Sequence, residues 1–566
     1  MAVDAVIVGA GHNGLVTANY LARAGLNVEV LERRSIVGGA CVTEEVFPGF
    51  RASTCSYVIG LFRPEIIRDL ELKKFGLELY QADVLNSNIL PGGEHVFLWQ
   101  EFDRTLKEID RIAPGDAEAY LTFGAQVNRF AALMDPFVMS QAPSLSEVVE
   151  TFEAAGEKDL FSDFFTLSVT ELLDQHGFKS EILRGFLSFL GVVSYFGSPG
   201  TPGSAYVYGH HSWGEFEGRA GQYGFARGGM SGLSEALAAS ARHHGVKIRT
   251  DAPVDHVLVE GGAARGVRLV SGEEIMAPIV ISNADPVSTY TKLIEGKHLP
   301  DDFRKKVDGI DNRGSEAHLL VALDGLPRFE GLGDPGPEYR GMTLLGATEE
   351  VYERGHEAQR RGELPEEITV EFAVDSVRDD SMTPPGKHLM NVGLQQVPTV
   401  PANGSWDDLK PEFTRRILET MENYAPGFGN HVIDTMALTP LDLEREYGLT
   451  GGNIFQGSMT LGQLFDSRPV SNYSSYRSPV DGFYLCGAGT HPGGGVMGAN
   501  GHNAAQLILA DRNGEDITPL ARTRPKRDLM TRSLDNPRMR KLALKAAKQP
   551  WSRPITKLAS RRKGRG

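Results

Sequence analysis

Gly9, Gly11 and Gly14, with Glu32 standing 23 positions after Gly9, are the residues whose types and spacing best suit chemistry in this chain. That chemistry is the holding of a dinucleotide. In the run Gly9-Ala10-Gly11-His12-Asn13-Gly14, Gly9 permits a tight turn and Gly11 lets the main chain approach a pyrophosphate. Gly14 lets a helix pack closely on a strand. The helix start that follows offers free N–H groups and a positive dipole end to phosphate oxygens. A carboxylate at Glu32 accepts hydrogen bonds from ribose hydroxyls and repels a 2′-phosphate, which argues against NADP.

A second glycine loop lies far away: Gly487-Ala-Gly-Thr-His-Pro-Gly493-Gly-Gly495-Val-Met-Gly498. Seven of its twelve residues are Gly or Ala, more than turn chemistry demands. Two such loops can clamp one dinucleotide from both ends. FAD, long and carrying a flat ring system, suits that clamp better than NAD.

Both loops need strand–turn–helix units to position them. Residues 4–8 read as a strand, 15–24 as a helix and 26–32 as a second strand. A second α/β pattern follows Gly228-Gly229-Met230, with a helix over 233–243 and strands over 246–249, 254–259, 266–270 and 279–282. Residues 482–486 form a strand that runs into the second loop, and a helix covers 503–509. Between these units, 121–134 and 182–193 are helical by periodicity. The cluster Gly197-Ser-Pro-Gly-Thr-Pro-Gly203 breaks that pattern. Alternation over 317–323 and 368–374 predicts a separate sheet.

The 566 residues suffice for more than one compact unit, and 41% hydrophobic with 23% charged residues is an ordinary globular composition. Cys41, Cys55 and Cys486 form no C-x-x-C pair, which argues against a disulfide-stabilised fold and thiol–disulfide chemistry. The first strand begins near residue 4, leaving no room for a signal or transit peptide. No apolar run approaches the roughly 20 residues of a membrane span. A cytoplasmic location is therefore expected. The net charge of −15 conceals an asymmetry: residues 517–566 hold 16 Lys+Arg and 2 Asp+Glu, leaving a body of net −29.

Four stretches resemble a known family: Gly9 to Val16; Glu32-Arg33-Arg34 to Ala40 with 42–45; Pro202-Gly-Ser-Ala-Tyr206; and Tyr484-Leu-Cys-Gly487 to Gly498. They resemble flavoproteins of the glutathione-reductase type and, within these, the phytoene desaturase and amine oxidase superfamily. The phytoene-dehydrogenase-like subgroup of pyridine nucleotide-disulphide oxidoreductase domain-containing proteins is the most similar. The resemblance spans roughly residues 3–510. It implies an α/β fold, a glutathione-reductase-type FAD-binding Rossmann domain with an inserted α+β substrate domain. The FAD-binding segments would be 1–85, 226–300 and 476–516. The substrate segments would be 86–225, mainly helical, and 301–475, followed by a basic tail over 517–566.

The resemblance also implies non-covalent FAD and assigns its contacts. Gly9, Ala10, Gly11, His12, Asn13 and Gly14 would form the first loop, with Glu32 and Arg33 beside the ribose. Gly39 and Ala40 would lie along the pyrophosphate, with Val254 against adenine. Gly487, Met497 and Gly498 would close the other end. The turn Arg227-Gly-Gly-Met230 would approach the flavin from the substrate side. No metal site is expected. The chain shows neither a second G-x-G-x-x-G unit for NAD(P)H nor a redox cysteine pair, which argues against a disulfide reductase.

Flavin chemistry needs a positioned base or anchor near the ring. The candidates are His210 and His211, His491 in the second loop, and Tyr223, with Glu215 behind them. Each histidine has an equally good structural reading as a polar group satisfied by backbone. In the tail, Met539, Leu542, Ala543 and Ala546 share one helical face and Lys541, Lys545 and Lys548 the other. Such a segment could rest on an anionic membrane surface or on the acidic body of its own or a neighbouring subunit, giving a homo-oligomer. Nucleic acid is disfavoured by the acidic body. The expected activity is desaturation or a related hydride abstraction on a small lipophilic substrate. Amine oxidation is the alternative enzyme reading. A flavin-bound interaction or regulatory protein with vestigial catalysis is the alternative of another class.

Overall fold

The computed structural model describes residues 2–216 and 218–517. The basic amphipathic segment therefore lies outside the described residues.

Short strands of three or four residues build the first sheet. Its order is Lys247–Arg249, Val28–Leu31, Ala5–Val8, Ile279–Ser282 and Phe483–Leu485, all parallel. Sequences such as AVIV and IVIS are buried on both faces, as a parallel sheet covered on two sides requires. The chain leaves this sheet after Leu31, re-enters at Lys247, leaves after Ser282 and returns at Phe483. Helices His12–Arg23, Ser231–His243 and Ala499–Asn513 cover one face through Leu15, Val16, Leu233, Leu237, Ala505 and Ile508. An antiparallel ribbon of Val254–Glu260, Ala263–Leu269 and Glu274–Met276 covers the other. Its Val257 and Val267 share a core with Val6, Leu31 and Val280.

The second sheet has seven strands in the order Val432–Leu438, Ser315–Leu323, His388–Val397, Val370–Ala373, Met342–Leu345, Val84–Ile89 and His95–Trp99. All its pairs are antiparallel except Met342–Leu345 with Val84–Ile89. The strands alternate. Leu319, Val321, Phe372, Met390 and Val392 face the helix Trp406–Tyr424 and its Trp406, Phe413 and Ile417. The opposite positions turn inward, where Leu320 and Ala322 meet Phe50, Ala52 and Cys55, and Leu344 meets Phe189, Val192 and Tyr352. Helices Asp116–Val138, Lys158–Thr166, Val169–His176 and Ser204–His211 form a third layer around Phe130, stacked on Phe164 at 4.0 Å.

The sequence-based elements are present with shifted ends. The helix expected over 503–509 begins four residues earlier, at Ala499, because the glycine loop runs directly into it. The apolar run 182–193 splits into a helix, Glu181–Ser188, and a single tight turn, Phe189–Gly191. The strand Val84–Ile89 straddles position 85, so the chain passes into the second sheet at that strand. Among the described residues, no helix is long and apolar enough to cross a membrane.

Two helical glycines, one in each helical layer, test how tightly the helices are packed. A Cβ on Gly501 would lie 2.2 Å from the carbonyl oxygen of Asn13, because helices His12–Arg23 and Ala499–Asn513 touch there. A Cβ on Gly124, within Asp116–Val138, would meet nothing within 4 Å. Gly124→Ala should raise stability by ~0.5–1 kcal/mol through helix propensity. Gly501→Ala should lower it by ~1–3 kcal/mol through overpacking. Thermal denaturation of the two variants reads both signs, and a raised midpoint for Gly501→Ala would refute the close contact.

Candidate functional site

The first loop folds as a phosphate cradle. Gly9 adopts φ +98°, and its N–H donates to Leu31 O at 2.8 Å. A Cβ on Gly14 would stand 2.4 Å from Gly9 O, so helix and strand meet there at backbone distance. Gly38 N–H donates to Ala10 O at 2.9 Å, which brings Gly39 and Ala40 alongside Gly11. Glu32 is 6% exposed. One of its oxygens accepts from Ala10 N–H at 2.8 Å and the other from Arg34 N–H at 2.9 Å. Ala252 N–H donates to Glu32 O at 2.9 Å, which brings the start of the Val254 strand next to Glu32.

Two helix starts converge on this cradle. Neither His12–Arg23 nor Ala499–Asn513 has a side-chain cap, so the first-turn N–H groups of both are left for another acceptor. Thr17 Oγ1 donates at 3.0 Å to both Asn13 O and Gly501 O, which ties the helices together. At the same place His12 Nε2 and Asn13 Oδ1 are buried without a partner. Uncapped helix starts, a side-chain-free backbone and unpaired polar atoms fit a bound dinucleotide. Burial pushes His12 down to about 4, so this loop adds no imidazolium.

Arg33 departs from its expected place. Its guanidinium donates to Arg445 O at 2.9 Å and Glu446 O at 2.7 Å and is exposed. It reaches the last turn of the helix Pro440–Tyr447 and takes no place beside the ribose. Arg34 takes the inward position, paired with Glu44 at 2.5 Å and lying over the Tyr447 ring. The Arg227 turn also departs. Arg227 pairs with Asp379 at 3.1 Å. Gly228 and Met230 N–H bind Asp379 and Ser53, so the turn fastens two units together.

The second loop is shaped by Arg468, 1% exposed. Its guanidinium donates to the carbonyls of Thr490 (3.2 Å), Ser458 (3.1 Å), Gln463 (3.3 Å), Ala488 (3.0 Å) and Phe455. Burial lowers it to about 10, so it stays charged at neutral pH. Asn500 Nδ2 adds bonds to Thr490 O, His491 O and Gly493 O at 3.0–3.2 Å. Gly487, Met497 and Gly498 are buried, and Met497 O accepts from Arg63 N–H at 3.0 Å. Gly498 takes φ +71° to start the helix.

This packing absorbs the candidate histidines. His210 Nε2 lies 2.8 Å from Gly494 O and His491 Nε2 2.7 Å from Phe137 O, so each ring donates to a carbonyl. Burial pushes them down to about 3 and about 4. His211 Nδ1 lies 2.8 Å from Val207 O, one helical turn back, and burial lowers it too. Tyr223 donates to Leu85 O and, at 3.2 Å, to Asn86 Oδ1. These side chains brace walls and loops and are not poised to move protons. Glu215 is exposed on a two-residue strand. The three thiols are buried. Burial raises Cys41 and Cys486 to about 12 and Cys55 well above its usual range, so none is a thiolate.

A polar cluster on the inner face of the second sheet was not anticipated. Glu371 is 6% exposed, and Tyr57 Oη donates to its Oε2 at 2.5 Å. Burial, with the Glu316 charge behind it, raises Glu371 to about 7 despite that bond. His318 lies 3.3 Å from Glu316 Oε1 and 3.2 Å from Asn391 Oδ1. Burial favours the neutral ring, but these oxygens outweigh it and hold His318 above its ordinary value. Cys55, Glu316 and His318 place metal-type donor atoms within 4.8 Å of one another, yet both ring nitrogens of His318 already face oxygens. Asn391 Nδ2 donates to Ser53 O at 2.7 Å, locking the cluster to the hairpin of strands Thr43–Phe47 and Phe50–Ser53, which follows Gly39 and Ala40. A signal existed: Glu316, His318 and Glu371 are ionisable residues in otherwise apolar strands.

The comparisons agree with this architecture. Residues 14–509 match the family model described as flavin containing amine oxidoreductase. The mouse pyridine nucleotide-disulfide oxidoreductase domain-containing protein 2 is 37% identical over 90% of this chain and 93% of its own. A neurosporene-forming phytoene desaturase of Cereibacter sphaeroides is 26% identical over 89% and 94%. The solved structure of cyclohexylamine oxidase from Brevibacterium oxydans shares the fold, with a TM-score of 0.56 at 16% identity, covering 91% of this chain and 100% of that one. The cradle, the two helix starts and this family match make the chain an FAD-dependent oxidoreductase. It belongs to the flavin-containing amine oxidoreductase family.

Proposed function

We propose that the chain is a dehydrogenase of the desaturase type, removing hydride and a proton from adjacent carbons of a small lipophilic substrate. Bound FAD supplies the two-electron acceptor. The observation that carries the reading is Glu371. A C–H bond lost to a hydride acceptor leaves a neighbouring proton that must go to a base. Glu371 is a buried carboxyl raised to about 7, near working pH, on the sheet face whose Asn391 binds Ser53 of the hairpin that follows Ala40. Its carboxylate takes that proton as the carbon–carbon double bond forms. Tyr57 orients it through Oε2, and the same hydrogen bond steadies the charged form. Gly393 is its cross-strand neighbour. A Cβ there would lie 3.3 Å from Tyr57 Oη, so the absent side chain leaves room for the pair. Leu344, Phe189 and Val192 beside it present apolar surface. Phytoene desaturase among the relatives supports the same reaction type.

Glu32 would accept the ribose hydroxyls of FAD, and both helix starts would face its pyrophosphate. Glu32→Ala also leaves Ala10 N–H unpaired. It should weaken FAD retention at least ~10-fold, the scale of a lost hydrogen bond to a charged group. Flavin absorbance surviving gel filtration measures this, and undiminished FAD in the variant would refute the cradle.

For the chemistry, anaerobic mixing of holoenzyme with isoprenoid hydrocarbons should bleach the flavin absorbance. The rate should rise as pH increases through about 7, because Glu371 must be deprotonated to act as base. Glu371→Gln should cut that rate ~100-fold while leaving FAD bound. Bleaching by amines alone would favour amine oxidation.

A further inference from the structure

We propose that Asn283 binds the cofactor, its side-chain amide donating to the FAD pyrophosphate beside Gly11.

The sheet order brings Asn283 to the cradle. Strands Ala5–Val8 and Ile279–Ser282 lie side by side in parallel, with Val8 opposite Ser282. Gly9 and Asn283 therefore leave the two strands at the same level, and Asn283 N–H donates to Val8 O at 2.9 Å. From Ala5–Val8 the chain goes to Val28–Leu31 on one side, and from Ile279–Ser282 to Phe483–Leu485 on the other. Open parallel sheets bind ligands at such a reversal of strand order, beyond the carboxyl ends of the strands.

The glycines of the first turn make room for this one side chain. A Cβ on Gly9 would lie 3.4 Å from Asn283 Cβ, and one on Gly14 would lie 3.2 Å from its Cβ and Cγ. A Cβ on Gly11 would stand 2.6 Å from Asn283 Nδ2. Gly11 is the position at which a nucleotide-binding turn meets the pyrophosphate, so the amide nitrogen sits where phosphate oxygens come. Cys486 settles which end of the amide faces the turn. Its Sγ donates to Asn283 Oδ1 across 3.8 Å, and burial pushes the thiol up to about 12, so the S–H is kept. Oδ1 is thereby occupied and Nδ2 faces Gly11. Asn283 is half-buried, and among the described residues its Nδ2 has no acceptor.

A phosphate held here needs directional donors. Neither His12, neutral by burial, nor Arg33, bonded to Arg445 O and Glu446 O, brings positive charge to the turn. His12 Nε2, buried and unpaired on the same turn, points to a ligand independently. An amide N–H adds to the main-chain donors of the two helix starts without the desolvation cost of a buried cation.

The test follows FAD release after dilution of holoenzyme, read as the rise of free-flavin fluorescence. Asn283→Ala should speed release ~10-fold, the scale of a lost hydrogen bond to a charged group. Asn283→Asp keeps the side chain's shape but sets a carboxylate against phosphate, and should speed release at least ~100-fold. A residue that only fills the glycine niche gives the opposite order, with Asp tolerated better than Ala. Far-UV circular dichroism checks that both variants fold. Release from Asn283→Asp no faster than from Asn283→Ala would overturn the contact, and so would wild-type retention in Asn283→Ala. Because Asp matches Asn in size, it decides the matter if Asn283→Ala loosens the fold: wild-type retention in Asn283→Asp overturns the contact on its own.

Discussion

A buried cation that binds only carbonyl oxygens holds the flavin side together. A loop as rich in glycine as 487–498 has few side chains with which to satisfy its own backbone. Arg468 supplies the missing donors from outside, gathering Phe455, Ser458, Gln463, Ala488 and Thr490 around one guanidinium. Burying a charge is costly unless every donor is engaged, and the arginine fork reaches several acceptors at once. That arrangement fixes where Gly498 starts its helix. The helix start fixes the contact of Gly501 with Asn13, and through it the geometry of the first glycine turn.

The two sides of the molecule treat ionisable groups in opposite ways. On the flavin side His12, His210 and His491 are driven neutral by burial and donate to carbonyls or face unpaired space. On the sheet side Glu316 keeps His318 above its usual value, and Glu371 is poised between its two forms. Groups near their neutral-pH transition thus gather on the sheet wall, and the histidines of the other wall serve as fixed dipoles.

The first glycine turn was readable from sequence because its function is local: turn, helix start and strand end lie within forty residues. Glu32 was readable for the same reason. Arg33 and Arg34 were not distinguishable, since which of two adjacent arginines faces inward depends on how the chain leaves the sheet. His210 and His491 looked chemical because they sit in or near glycine-rich segments, but their partners, Gly494 and Phe137, are 284 and 354 residues away. The Glu316, His318 and Glu371 cluster stayed hidden for a related reason. Alternation in 317–323 and 368–374 shows that each strand has two faces. Only the register, His318 to Gly393 to Glu371, shows that the polar face looks inward.

The parallel sheet also has a consequence in time. Its outer strand, Phe483–Leu485, pairs with Ile279–Ser282, and the second glycine loop hangs from it. Ribosomes add roughly 5–20 residues per second, so this strand emerges roughly half a minute to a minute and a half after Ala5–Val8. Until then the strand next to the first turn has an open edge, with Val280 and Ile281 paired to Val6 and Ile7 but still without Phe483 and Tyr484. The cofactor cradle is thus among the last parts of the chain to become complete, and a nascent chain offers a half-built nucleotide fold and an unpaired strand to whatever binds such edges first.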